Sequence, residues 1–508
     1  MRYLVTGKEM KLLDQNTSNC FHVPELVLME QAAMHFVWKL CDVLSDIENK
    51  KGIVFCGLGN NGADGIAIAR LLNERGIVTH VCTIRDFLSQ KGDVSESFSV
   101  QEAIYQAYHY PVVHNMQQVL CSEYDFVIDA VFGIGLSRAL NKEYIEIIEH
   151  INAIKGVKIA VDMPSGINSD NGQIMGAAVA CDYTITFSFE KVGQYLWPGW
   201  DYAGKTCVVD MGITEKSWMD KKPSMAYLEK HDLNSLPKRP DHSNKGTFGK
   251  LLIIAGSKNM AGAAIFAAKA AYRCGVGLVK IVTCETNREI IQTSIPEALL
   301  STYTNKVEKD VLVEDVKWAD AIVIGPGIGC GKIAKEMVEL VRSTASVPVV
   351  LDADALNVIA EDVNKLILPH TEFVVTPHLG EFSRLTNQSI SWIQNHLAES
   401  ATDFARTYDV ICVLKDFHTV TANPYGLSFL NLTGNNGMAT GGSGDVLSGI
   451  IGAFLAQGMM GQQAASYGVY IHGLAGDIAR EQAGCHGMLA SDIIEALKDI
   501  WKGFDNVK

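Results

Sequence analysis

The sequence predicts an α/β protein made of two successive domains, each a parallel sheet covered by helices. Three observations lead there. Apolar runs of strand length alternate with amphipathic helical segments along nearly the whole chain, the pattern of strands buried on both faces. At 508 residues the chain is longer than one hydrophobic core serves, so two or three domains are expected. Between about 213 and 225 the apolar periodicity lapses and lysines and turn residues gather, which places domains at 1–217 and 225–505.

Residues 9–48 read as helical, with an apolar face at i, i+3 and i+4 through Met29-Glu30-Gln31-Ala32-Ala33. Strands are then expected at 53–56, 77–84, 126–131, 157–161, 183–187 and 206–209, with helices over 64–75, 95–108 and 141–154. This is a Rossmann-like, doubly wound pattern, in which ligands bind at the carboxyl ends of the strands. Three polar motifs fall at those ends. The first, Gly57-Leu58-Gly59-Asn60-Asn61-Gly62-Ala63-Asp64-Gly65, satisfies the dinucleotide spacing Gly-x-Gly-x-x-Gly. Its two asparagines and aspartate suit a polar ligand or an ion better than that fingerprint needs, while an Asn-Gly turn capped by Asp64 is the plain structural reading. Asp129 leads into the glycine loop Phe132-Gly133-Ile134-Gly135-Leu136-Ser137-Arg138-Ala139, and Asp162 opens the turn Met163-Pro164-Ser165-Gly166. Any one of these aspartates alone would be an ordinary turn former. Parallel strands bring all three loops to one edge, which points to a single site.

The second half repeats the alternation, with strands at 250–255, 278–282, 321–324, 347–351, 373–375 and 410–414. Helices are expected over 261–274, 332–343, 445–457, 462–482 and 489–501. Its richest stretch is Asn435-Asn436-Gly437-Met438-Ala439-Thr440-Gly441-Gly442-Ser443-Gly444-Asp445, directly before an apolar helix. Bare glycines at a helix start let several backbone N–H groups face one anion, and the helix dipole adds to them. Asp445, in the first helical turn, is placed to take a proton from a hydroxyl that attacks phosphorus. No Gly-x-x-x-x-Gly-Lys-[Ser/Thr] occurs, and the late glycine loop suits a ribokinase-like domain rather than a P-loop enzyme. Gly325-Pro326-Gly327, Asp352-Ala353-Asp354 and Thr376-Pro377-His378 sit at strand ends, and Lys415 ends a strand where it can neutralise phosphate.

A net charge of −14 argues against nucleic acid or an anionic membrane as the main target. The 12 scattered cysteines lack metal-ligand spacing, and with no signal-peptide core at the N-terminus they predict a reducing, cytoplasmic setting.

Asn60-Asn61-Gly62-x-Asp64-Gly65, the Asp129 loop and Asp162-x-Pro164-Ser165-Gly166 resemble the epimerase domain of the NAD(P)H-hydrate repair enzymes. The runs at 325–327, 352–357, 376–378 and 435–445 resemble the ADP-dependent dehydratase domain of the same family. The resemblance covers nearly the whole chain. In the first domain it implies that Asn60, Asn61, Gly62, Ala63, Asp64 and residues Gly133 to Ala139 cradle hydrated NADH or NADPH. It also implies that Asp162 transfers protons and that Asn61, Asp129 and Ser165 hold potassium. In the second it implies that Lys415, Asp416, Phe417, His418, Thr419, Asn435, Gly441, Gly442, Ser443 and Gly444 hold ADP as co-substrate, accompanied by magnesium. Ala263, Gly327, His378 and Asp445 would contact the hydrated nucleotide, Asp445 as the catalytic group. A homo-oligomer is expected, with neither nucleic acid nor membrane as partner. Three positions depart from the family pattern: Ala63 and Asp416 stand where glycine is usual, and Asn244 where histidine is frequent. A ribokinase-type small-molecule kinase, a non-catalytic scaffold for the first domain and a dehydrogenase reading of Gly57 to Gly62 are the rivals.

Overall fold

The computed structural model describes residues 1–89, 92–368 and 371–505. They divide into two compact units: Tyr3–Met225, and the chain from Ala226 onward together with Met1 and Arg2.

The first unit is built on parallel strands in the order Thr79–Thr83, Gly52–Cys56, Phe126–Ala130, Val157–Val161, Tyr183–Phe187, Lys205–Val209. Gly52–Cys56 and Phe126–Ala130 are buried along their whole length, which is why they read as apolar runs, interrupted only by Asp129. The order reverses between these two neighbours, and such a switch point opens a crevice beyond their carboxyl ends. Helix Asn60–Glu74 packs over them with Ile66, Ala67, Ala69 and Leu72 inward. Gly57 and Gly62 make that crossing possible. A Cβ on Gly57 would stand 1.9 Å from the Val131 carbonyl oxygen, and one on Gly62 1.9 Å from the Gly57 oxygen. Close backbone packing therefore accounts for Gly57 and Gly62 without a bound dinucleotide, whereas a Cβ on Gly59 would meet nothing within 4 Å.

Three local expectations change. Residues 9–48 form two helices, Gly7–Cys20 and Glu25–Val43, parted where His22 takes a left-handed φ of 57° and Pro24 precedes the second. The helix expected from 64 begins at Asn60, so both asparagines lie in its first turn; Gly59 is extended and starts the helix at once. The polar stretch after 213 also carries buried structure. Trp218 packs against Tyr3, with ring centroids 4.6 Å apart.

In the second unit the parallel order is Leu299–Tyr303, Leu278–Cys284, Lys250–Ile254, Ala321–Ile324, Val349–Leu351, Phe373–Val375, Ile411–Leu414. Val420–Ala422 and Ser428–Leu430 continue it antiparallel. Helix Ser443–Ala456 lies against Ala261–Arg273, whose alanines allow a close approach. The edge strand Leu299–Tyr303, helices Leu379–Thr386 and Leu397–Tyr408 and the antiparallel pair were not legible as apolar runs. Leu299–Tyr303 is half-exposed and the pair is short, so neither carries a continuous buried stretch. Among the described residues no helix is long and apolar enough to cross a membrane.

Candidate active sites

In the first unit Asp162 follows strand Val157–Val161 with φ 67°, a left-handed conformation that costs a non-glycine residue on the order of 1 kcal/mol and persists only where the surroundings fix it. They do so here. Asp162 Oδ1 accepts hydrogen bonds from Thr186 Oγ1 at 3.0 Å and Phe187 N at 3.1 Å, and it forms an ion pair with Lys191. Gln194 Nε2 donates to the Asp162 carbonyl at 2.8 Å. Lys191 is fully buried and also donates to Thr186 Oγ1 at 2.9 Å and to the Phe187 carbonyl at 3.1 Å. Lys191 had no signal in the sequence. It sits in the strand Glu190–Lys191, too short to show a period.

Asp129 is wholly buried and binds Ser165 twice, from Ser165 Oγ at 2.5 Å and Ser165 N at 2.7 Å. Burial raises its carboxyl to about 6. Phe132 N donates to Ser165 Oγ at 2.8 Å, which joins the second and third motifs. Asn61 joins the first: a Cβ on Gly133 would lie 3.1 Å from Asn61 Oδ1. The Asn61 amide nitrogen is buried without a hydrogen-bond partner. Turned over about its last bond, that amide presents an oxygen to the same place. Asn61, Asp129 and Ser165 therefore offer the oxygen donors that a hard cation prefers.

Beside them lies a cavity of about 410 Å³ lined by Asn60, Asp64, Asp14, Glu25, Lys11 and Met211, among others. Glu25 Oε1 accepts from Asn60 Nδ2 at 2.5 Å and from Ser97 Oγ at 3.2 Å, fixing one wall. Loss of hydration, then the charge of Asp162, raises Asp64 well above the usual carboxylate range. Gly62 and Ala63 are buried and act through helix packing rather than as open contacts. In the loop at 133–139, Leu136 is buried, Gly135, Ser137, Arg138 and Ala139 are exposed, and the Ile134 carbonyl accepts from Ser169 Oγ at 3.2 Å.

In the second unit a cavity of about 680 Å³ is lined by His378, Lys415, Asp416, Phe417, Thr419, Asn435, Ser443, Gly444 and His472, among others. Gly441 and Gly442 shape the turn before it, Gly442 with φ 92°, and His418 is buried outside the lining. Lys415 is held by the buried Asp352, whose Oδ1 accepts from its Nζ at 3.1 Å. Thr376 Oγ1 and Ser448 Oγ bind the same carboxylate at 2.8 and 2.6 Å. A Cβ on Gly444 would lie 3.5 Å from Lys415 Nζ, so the ammonium stands over the helix start. Asp445, in the first turn of Ser443–Ala456, makes no hydrogen bond among the described residues. Burial, then the charges of Asp352 and Asp354, raise it to about 7, with Lys415 pulling the other way.

Supporting residues come from far along the chain. Asp477 accepts from Gly434 N and Asn435 Nδ2, each at 3.0 Å, and pins the entry to the glycine loop. His472 bonds Ser443 Oγ at 3.3 Å; burial, with Lys415 adding, lowers it to about 4 and keeps it neutral. Both lie on Gly461–Gly487, whose even hydrophobicity hid them. His378 is a helix cap: its Nδ1 accepts from Gly380 N at 3.0 Å and Glu381 N at 3.3 Å. Ala263 and Gly327 are neighbours, a Cβ on Gly327 falling 3.1 Å from Ala263 Cβ.

Residues 25–193 match the family model described as YjeF-related protein N-terminus, and residues 251–499 match that of NAD(P)H-hydrate dehydratase. The bifunctional NAD(P)H-hydrate repair enzyme Nnr of Moorella thermoacetica is 34% identical over 521 residues, covering 99% of this chain and 97% of its own. Its Escherichia coli counterpart is 36% identical over 455 residues, covering 88% of this chain and 84% of that one. The crystal structure of a ribokinase-like superfamily protein from Enterococcus faecalis V583 superposes with a TM-score of 0.51 at 30% identity, over 55% of this chain and 96% of its own. The two family models fall in this order on the units that hold Asp162 and Asp445. With both family models matched and a relative 34% identical over 99% of this chain, the chain belongs to the family of bifunctional NAD(P)H-hydrate repair enzymes.

Proposed function

We propose that the first unit, taken as 1–217, interconverts the R and S epimers of hydrated NADH and NADPH. The second, taken as 225–505, returns the S epimer to the reduced nucleotide with ADP, releasing AMP and phosphate. The observation that carries the second reaction is Asp445, a free carboxyl of raised proton affinity in the first turn of a helix and beside Lys415. Hydroxide leaves a ring carbon poorly, and a phosphate ester leaves well. Asp445 takes the hydroxyl proton as that oxygen attacks phosphorus. The N–H groups of the 441–444 turn and the Lys415 ammonium hold the charge on the transferring group. Phosphate then departs and the ring double bond is restored.

Both implied cations fit. Potassium would be held by Asn61, Asp129 and Ser165, where its charge offsets the buried Asp129 carboxylate and orders the loop that reaches Gly133. Magnesium binds nucleotide phosphates while keeping most of its water, and needs few protein carboxylates. Asp352 is committed to Thr376, Lys415 and Ser448, which leaves Asp445 as the free carboxyl at this helix start. Twelve cysteines, all free among the described residues, support a reducing cytoplasm. Exposed Val27 and Trp38 on Glu25–Val43 give self-association a surface, which light scattering would test.

The test is to incubate the purified chain with both hydrate epimers and ADP or ATP, following absorbance of the reduced nicotinamide. Recovery of the whole mixture supports both activities; recovery of one epimer alone leaves the dehydratase and removes the epimerase.

A further inference from the structure

Asp162 is one carboxyl, yet inverting a carbon that carries a hydroxyl needs a proton delivered on one face and removed on the other. The helix Gly7–Cys20 brings a second carboxyl, Asp14, to the cavity beside Asp162, near enough for the two charges to act on each other. Its amino end is docked on the loops around Asp162: Gly7 N donates to Asp170 Oδ1 at 2.6 Å, and a Cβ on Gly7 would lie 2.8 Å from the Ile134 carbonyl oxygen. Further along, Asn16 Nδ2 donates to the Ser217 carbonyl at 2.8 Å, and Thr17 Oγ1 and Ser217 Oγ bond at 2.7 Å. Between these anchors Asp14 is half-buried and lines the 410 Å³ cavity with Asn60 and Asp64. A surface aspartate on an amphipathic helix ordinarily faces water or a lysine. Asp14 has no hydrogen bond or ion pair among the described residues, while Asn16 and Thr17 on the same helix are each held by a protein partner.

We propose that Asp14 is the second proton-transferring residue of the epimerase site, acting from the helix side of the bound ring while Asp162 acts from the strand side. The inference rests on the epimerase reading. The hydrated ring bears its hydroxyl on the carbon bonded to the ring nitrogen. The Asp14 carboxyl gives its proton to that hydroxyl, the carbon–oxygen bond breaks with its electron pair going to oxygen, and water is released. The nitrogen lone pair closes a carbon–nitrogen double bond. Water then adds to the opposite face, its electron pair forms the new bond and the nitrogen recovers its own pair. The proton shed by the incoming water passes to Asp162. Nothing is oxidised or reduced, and the return reaction exchanges the two roles.

Charges around Asp14 fit a shared single proton. Glu25 and Asp64 share the cavity lining with it, Lys11 lies one turn earlier on its own helix, and the charges of Asp162 and Lys191 also reach it. Burial first, then the charge of Asp162, raises Asp14 to about 7, opposed by Lys191. The proton is therefore present below about pH 7 and lost as the pH rises through it.

The test uses the full chain and one purified epimer without nucleotide, with interconversion followed by chromatography. Asp14→Asn should slow interconversion by about a hundredfold or more, while the same sample dehydrates the S epimer with ADP at the wild-type rate. The wild-type rate should fall above about pH 7, and the residual rate of Asp14→Asn should lack that limb. Asp14→Glu should recover part of the rate with the limb displaced, and it decides the matter should the asparagine variant fail to fold. Interconversion by Asp14→Asn at the wild-type rate, or an alkaline limb unchanged in both variants, overturns the assignment. A wild-type chain that does not interconvert the epimers removes the epimerase reading itself, a distinguishable result.

Discussion

Asp162 and Asp445 are held by opposite means. Asp162 is pinned: one of its oxygens receives Thr186, Phe187 and the buried Lys191, and its backbone is bent into the left-handed region. Asp445 is unpinned, bonded to no described residue, and is raised to about 7 by burial and by Asp352 and Asp354. The contrast matches two tasks. On the proposed reading, a group that must take a proton from water at one face of the ring is fixed in direction. A group that must take a proton during phosphoryl transfer is kept open on its reacting side and made basic.

The sharpest way to break the comparison is to neutralise each carboxyl in turn. Asp445→Asn should lower phosphate release and dehydration by about a thousandfold while leaving epimer interconversion intact. Asp162→Asn should do the reverse, by about a hundredfold or more, because Lys191 is then left buried against a neutral amide. Separate assays of the two reactions read both outcomes, and a variant that impaired both equally would dissolve the distinction between the units.

Lys415 tests whether the second carboxyl depends on its neighbours as described. Lys415→Met should raise the nucleotide KM by about ten- to a hundredfold, since it removes the ammonium over the helix start and strands the Asp352 charge. Removing the lysine also removes the one group that lowers Asp445, so the pH profile of kcat should move to higher pH. In the wild type that profile has a definite sign. A base must be deprotonated to act, so dehydration should rise by about tenfold per pH unit below about pH 7 and level off above it. Interconversion should run the other way if Asp14 is its acid. Measured on one preparation, the two limbs cross near the same pH.

How much of this was legible in the sequence follows from the same physics. Strands buried on both faces are continuous apolar runs, so 321–324 and 373–375 were read as they stand. The turn before Asp445 was legible because glycines there serve a backbone requirement that no other residue meets as well. Lys191, Asp14, His472 and Asp477 were not. Each reaches its site only when segments distant in the chain come together, and a lone lysine, aspartate or histidine on a short strand or a helix has no pattern until the fold closes. The helix was expected only from 64 because Asn-Gly is a turn signal, whereas here extended Gly59 starts it at Asn60.

A smaller effect tests the platform that carries Asp445. Gly449 faces helix Ala261–Arg273 so closely that an added Cβ would stand 2.1 Å from the Ala267 carbonyl oxygen. Gly449→Ala should therefore lower stability by about 1–3 kcal/mol, read as a drop in Tm, with epimerisation unaffected below the transition.

The smallest effect expected is at Asp416, a carboxyl beside Lys415 where the resemblance leads one to expect glycine. It lines the cavity of about 680 Å³ next to Lys415, and burial raises its carboxyl. A negative group there opposes phosphate, so Asp416→Gly should tighten nucleotide binding. The gain is limited by two things. The cavity is open to water, which screens the repulsion to about 1 kcal/mol or less at such range. Glycine also loosens the turn between Lys415 and Phe417, which returns part of the gain as lost order. A nucleotide KM lowered by less than about fivefold, with kcat unchanged, is the expected result. A KM raised tenfold or more would instead make Asp416 a ligand-orienting residue, and the pinned-against-open contrast would then extend to the nucleotide side of the second site.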